Sequence, residues 1–153
     1  MLETPLDAPD EHGPFWAVPR ALSTKNPATR RRLSGPGLRT FVSIADDLDL
    51  GIDDRLTLLG EPPLSTYNGW IRKAHAYACP SLPLDTLTRI SGVLGVYKAI
   101  HSRFPVKSEA MTWLKGAHHG EVFGGQPPIT VMIGGGLDGI LTVRRYLDGM
   151  SSA

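Results

Sequence analysis

Few residues in this chain of 153 are spaced for chemistry. His118-His119 is the first candidate, as a pair of metal ligands. Neighbouring side chains point apart, and no Cys, Asp or Glu cluster accompanies them at ligand spacing, so no metal is expected. Cys79 lies before a proline and reads as a small, partly buried side chain rather than a reactive thiolate. Gly134-Gly135-Gly136-Leu137-Asp138-Gly139 could cradle a phosphate. It lacks the lysine of a P-loop and the preceding strand and later acid of a dinucleotide fold, so it reads as a helix end. Trp70 and Trp113 read as core residues rather than platforms for stacked bases. No nucleophile stands with a base and an orienting group. The expectation is therefore no catalytic residue, no cofactor and no enzyme. What remains is recognition chemistry. Ser65, Thr66, Asn68, Arg72 and Lys73 are types that contact DNA: Asn reads adenine and Arg reads guanine in the major groove. Arg30-Arg31-Arg32 could contact phosphates, or could simply be a solvated run.

The elements that must position these residues are helical. Phe41, Ile44, Ala45 and Leu48 recur at i, i+3, i+4 and i+7, which predicts a first helix starting near Gly37 and closed by Gly51. Asp53 is a plausible N-cap of a second helix with Leu56 and Leu59 inward. After the break Gly60-Glu61-Pro62-Pro63, the stripe Leu64, Tyr67, Ile71 and Ala74 predicts a third. The candidate DNA residues occupy its other face. Three short helices with a polar third one resemble a helix-turn-helix, although a plain scaffold would show the same spacing. Gly69 and an acidic second helix count against DNA contact. A long helix from Leu84 to about Arg103 follows, with Leu87, Ile90, Leu94, Tyr97 and Ile100 inward. Gly92 and Gly95 would allow close packing on it. Ser108 is expected to cap the helix that carries Met111, Trp113 and Leu114.

Composition narrows the class. Hydrophobic residues make up 41% and charged ones 20%, as in an ordinary soluble protein. One cysteine excludes an internal disulfide. The acidic, proline-rich start is unlike a secretory signal, and the longest apolar run, Ile129 to Ile133, is far short of the roughly 20 residues of a membrane span. A cytoplasmic location without membrane contact is expected. Net charge is only +1 but uneven. Arg20, Lys25, Arg30, Arg31, Arg32 and Arg39 face no acid in their stretch, whereas Asp46, Asp47, Asp49, Asp53, Asp54 and Glu61 face only Arg55. Nucleic-acid binding would need that local basic arm. Residues 1–34, with five prolines, read as an extended arm in which Phe15-Trp16-Ala17-Val18 is a short apolar patch.

The last stretch holds Trp113-Leu114, a loop expected to be exposed with Phe123-Gly124-Gly125, then Pro128, the glycines at 134–136, and Val143 through Leu147 to Gly149. Pro128 suits the first turn of a short helix. Leu137, Ile140, Leu141 and Leu147 mark the apolar face of a final helix that Gly149 is expected to stop, releasing a tail. This ordered set resembles the toxin-binding domain of Xre/MbcA/ParS-type antitoxins, and the resemblance extends more faintly back to about Gly37. It implies a cognate RES-domain toxin as partner, one that attacks NAD or uses it for ADP-ribosylation. Arg144, Arg145, Tyr146, Asp148 and Met150 would then contact the toxin and cover its NAD pocket. The expected architecture is all-α: an arm (1–34), a helix-turn-helix-like domain (35–79) and a C-terminal toxin-binding domain (80–153). The implied protein is an antitoxin that also binds operator DNA as an autorepressor and forms a homodimer within a larger toxin–antitoxin complex. The alternative is a stand-alone helix-turn-helix regulator whose C-terminal half dimerises.

Overall fold

The computed structural model describes residues 26–152, with side chains through Met150. The Phe15–Val18 patch and most of the expected arm lie outside the described residues. Seven helices and no strand occur among those described: α1 (Pro27–Asp47), α2 (Ile52–Leu58), α3 (Leu64–His75), α4 (Leu84–Arg103), α5 (Lys107–Lys115), α6 (Pro128–Gly134) and α7 (Gly136–Ser152). The all-α expectation holds.

α1 begins ten residues before Gly37. Asn26 Oδ1 accepts from Ala28 N at 3.0 Å and Thr29 N at 3.4 Å, and Pro27 occupies the first helical turn. Gly35-Pro36-Gly37 reads as a break in sequence, yet the helix runs through it. The proline forfeits a ladder bond, but continuity buries Leu33, Leu38, Phe41, Ile44 and Ala45 on one side. Arg30-Arg31-Arg32 therefore sits on the early turns of a helix rather than on an arm.

Other ends also shift. α1 stops at Asp47, and the chain turns at Asp49 (φ 55°) before Gly51. Gly51, not Asp53, is the N-cap of α2, and Asp53 and Asp54 sit in its first turn, where the helix dipole favours them. Val106, not Ser108, stands at the N-cap position of α5, and no side chain caps that end. Cys79 is exposed.

A single hydrophobic core runs through the helices. α1 packs against both α3 and α4, α2 against α6, and α4 against α7 over the most extensive interface. Leu87, Ile90, Leu94 and Ile100 of α4 are buried as expected. Asp47 at the end of α1 ties three helices together: it accepts from Tyr97 Oη of α4 at 2.6 Å and pairs with Lys107 Nζ of α5 at 2.6 Å. Burial alone would raise the Asp47 pKa; the hydrogen bonds from Lys107 and Tyr97, with the charges of Lys107 and His101, outweigh it and hold the carboxyl below its ordinary value. The Tyr97 phenol is pushed up, first by burial and then by that same carboxylate, so it stays a donor at neutral pH.

Candidate recognition surfaces

α7 is aimed by glycines. α6 ends at Gly134, and Gly136, at φ 62°, reverses the chain in a conformation that side chains rarely adopt. Gly139 then lies against the Val131 carbonyl of α6, where a Cβ could not fit. From this start α7 presses Ile140, Val143 and Leu147, all fully buried, onto the body. Each such side chain contributes about 1.5–3 kcal/mol. Leu141, placed inward by periodicity, is instead exposed at 37%, and Val143 takes the buried position. The difference is one of phase: Ile140, Val143 and Leu147 follow i, i+3, i+7, and Leu141 lies beside that row.

Two glycines of α4 receive α7. A methyl built at Gly92 would lie 2.7 Å from Ile140 Cγ2. One built on the buried Gly95 would collide with the end of Arg144. The close packing anticipated for these glycines is thus against α7.

The five C-terminal candidates are brought onto this helix but not into one environment. Arg144 is half-buried over Gly95, and its Nε bonds both carboxylate oxygens of Asp148 at 3.1 Å. Arg145 is exposed, 3.7 Å from Asp138 Oδ1 and 3.4 Å from Thr142 Oγ1. Tyr146 is 38% exposed. Met150 is partly buried against the core. Gly149 does not stop the helix, which continues to Ser152, so the expected release of a tail at Gly149 is corrected. A helical glycine is only about 1 kcal/mol worse than alanine, and the packing of Met150 favours continuation.

An aromatic group beside α7 was only half legible. Tyr146 stacks on Trp113 with centroids 6.0 Å apart and meets Phe123 edge-on at 4.8 Å. Phe123 meets Trp113 edge-on at 5.8 Å. The His118 ring lies 4.8 Å from that of Trp113, and its Nε2 is 2.8 Å from the Trp113 carbonyl oxygen. The loop expected to be exposed thus turns Phe123 inward, to 4% exposure. Gly124 (φ 56°) and Gly125 (φ 87°) make that possible, and Gly125 N donates to the His118 carbonyl at 2.9 Å. Phe-Gly-Gly is therefore one plug followed by two left-handed residues. His118 gives no sign of this role in sequence, because the loop bond that folds it back is not periodic.

The other surface is α3. Ser65, Thr66, Asn68, Arg72 and Lys73 are all exposed. Tyr67, Trp70 and Ala74 form the buried side. Leu64, placed inward by spacing, is 49% exposed at the first helical position. Arg39 of α1 donates to the Ala74 carbonyl at 2.9 Å and lies 4.5 Å over the Tyr77 ring, fixing the end of α3. No acid occurs among residues 26–45 or 62–84, so α3 and the early turns of α1 are free of negative side chains.

Among the described residues no helix is long and apolar enough to cross a membrane, and no group of three His, Cys, Asp or Glu is placed to hold a metal.

Comparison with known proteins bears directly on the C-terminal surface. Residues 103–152 match the model of the antitoxin Xre/MbcA/ParS C-terminal toxin-binding domain. A Sinorhizobium fredii (strain NBRC 101917 / NGR234) protein named "Uncharacterized protein y4oB" is 35% identical over 111 residues, covering 72% of this chain and 81% of that protein. No solved structure matches. The matched span takes in the end of α4, α5, the Phe123 loop, α6 and all of α7, so the C-terminal third of the chain is a toxin-binding domain of the Xre/MbcA/ParS antitoxin family, and that domain supports an antitoxin role in a toxin–antitoxin pair.

Proposed function

We propose that this antitoxin neutralises a RES-domain toxin, one that consumes NAD or transfers ADP-ribose from it, by seating α7 over the toxin's active site. The observation that carries the reading is the outer strip of α7. Leu141, Arg145, Tyr146 and Asp148 stand exposed within the span that matches the toxin-binding domain. Steric exclusion requires no catalytic group. It requires a buried contact of roughly 1,200 Å² or more with a few anchoring side chains. Tyr146, backed by Trp113 and Phe123, is a rigid anchor of that kind. Arg145 is exposed and held only by long contacts to Asp138 and Thr142, which charge-assisted bonds to acidic toxin groups would replace. Arg144 and Met150 act mainly by holding α7 in place, with Asp148 shared between the two tasks. The test is a titration of the purified toxin from the adjacent gene with the full chain, reading NAD consumption. Inhibition complete near equimolar antitoxin supports the reading, and an unaffected rate at excess antitoxin removes it.

DNA binding through α3 is the second part of the proposal. Its support is the exposed row Ser65, Thr66, Asn68, Arg72 and Lys73 in an acid-free region shared with Arg30, Arg31 and Arg32. Phosphate contacts of this type weaken steeply with salt. In this account the chain represses its own operon, as a homodimer within the toxin–antitoxin complex. Sedimentation of the antitoxin with and without operator fragments tests that assembly.

A further inference from the structure

A groove of about 440 Å³ opens beside α5, lined by Phe104, Ser108, Glu109, Thr112, Trp113, Gly116 and His118. Every one of these residues lies within the span matched as toxin-binding, and the groove adjoins the outer strip of α7 through Trp113, on which Tyr146 stacks. Its floor is aromatic: the Phe104 and Trp113 rings lie 6.5 Å apart, tilted by 31°. A guanidinium already uses one of these rings, since Arg103 Cζ lies 5.2 Å over Phe104. The rim carries both signs: Arg103 covers Phe104 at one side, and Glu109 lines the groove together with Trp113. Both lysines of α5 pair with carboxylates elsewhere, Lys107 with Asp47 at the end of α1 at 2.6 Å and Lys115 with Asp49 in the turn after it at 3.0 Å. Glu109 is exposed and has no ion-pair partner among the described residues. Thr112, Trp113 and Gly116 place the carbonyl end of α5 at the same opening, and that end of a helix favours a cation.

We propose that this groove receives an arginine side chain of the toxin. The planar guanidinium stacks on Trp113, its methylene stem lies along the apolar floor, and Glu109 accepts its N–H groups. An acidic anchor would meet Glu109 and the α5 carbonyls. A purely aliphatic one would leave that carboxylate unused. The inference rests on reading residues 103–152 as the toxin-binding surface, and it adds a second point of attachment to the one on α7.

The test uses the full chain and N-acetyl-arginine amide as probe, so it does not depend on any toxin. Nitrogen-15 spectra follow the Trp113 indole N–H, assigned by its absence in Trp113→Phe. The expected result is a saturable shift of that signal by the arginine amide. Glu109→Gln should weaken the binding about two- to fivefold, the worth of one exposed ion pair, and N-acetyl-leucine amide should produce little shift. Equal shifts from the leucine amide, an affinity unchanged in Glu109→Gln, or no saturable shift would each overturn the proposal. None of these results bears on whether α7 binds toxin, and loss of toxin inhibition does not bear on the groove.

Discussion

Replacing Gly92 or Gly95 of α4 with alanine should change stability in opposite directions, although the two sites are three residues apart on one helix. Taken alone, each substitution favours folding by about 1 kcal/mol, because glycine is the costlier helix residue. The difference lies in what the new methyl meets. At Gly92 it arrives 2.7 Å from Ile140 Cγ2 and 3.8 Å from Ile140 Cβ. Ile140 is fully buried and branched at Cβ, so its methyl cannot move without a change of rotamer or a shift of α7. Overpacking of this kind costs about 1–3 kcal/mol, which leaves Gly92→Ala destabilised by about 1 kcal/mol. At Gly95 the methyl meets the end of Arg144, whose Cδ is still 3.8 Å away. A long, half-exposed side chain can swing aside, so Gly95→Ala should gain about 0.5–1 kcal/mol. A gap of about 1.5–2 kcal/mol corresponds to roughly 3–8 °C in Tm for a chain of this size. Thermal melts of both variants beside the parent, followed by far-UV circular dichroism, decide it. A Gly92→Ala protein as stable as Gly95→Ala would refute the packing of α7 on α4 described above.

Three further outcomes follow from the same structure. Asp47→Asn should cost about 1 kcal/mol at neutral pH, the worth of the Lys107 and Tyr97 contacts to a charged acceptor. Because the folded-state pKa of Asp47 is lowered, its stabilisation is present above the unfolded value of about 4 and fades as pH falls through the folded one; urea melts at pH 7 and pH 3 should show the gap between parent and variant closing. Truncation after Leu147 removes the Asp148 partner of Arg144 and the packing of Met150, so a loss of about 1–2 kcal/mol is expected together with weakened toxin inhibition; an unchanged inhibition constant would assign closure of the pocket to other residues. Arg72→Ala with Lys73→Ala should lower affinity for an operator fragment in gel shifts at fixed salt while leaving toxin binding intact, and unchanged DNA affinity would remove α3 from that role.

The helices that repeat an apolar stripe are legible in the sequence, and the ones bounded by capping or by turns are less so. Leu87, Ile90, Leu94 and Ile100 mark the buried face of α4 without ambiguity. The Gly134–Gly136 turn is equally plain, since three glycines can serve the left-handed residue that starts α7. The start of α1 is not, because Pro36 between two glycines has every local mark of a break, and only the burial of Leu33 and Leu38 on the same side as Phe41 explains why the helix continues. Leu141 and Leu64 show the limit of periodicity at the margins of a stripe, where one residue of phase decides exposure. The division at Pro80 separates segments in sequence but not the core, because α1 reaches across to α4. For that reason toxin-binding tests belong on the full chain: a fragment from residue 80 onwards would expose the side of α4 that α1 covers. The aromatic group is the largest gap. Trp113, Phe123 and Tyr146 are far apart in sequence, and His118 joins them only through a loop with no repeating pattern.

The central claim is that this chain switches off a NAD-consuming partner by occupying its active site. The most direct measurement is the rate of NAD loss catalysed by the RES-domain toxin proposed as partner as the chain is added. The account predicts a linear fall to zero at a fixed stoichiometric ratio, with Tyr146→Ala shifting the curve towards higher antitoxin concentration. A rate that stays constant through a several-fold excess of folded antitoxin would contradict it.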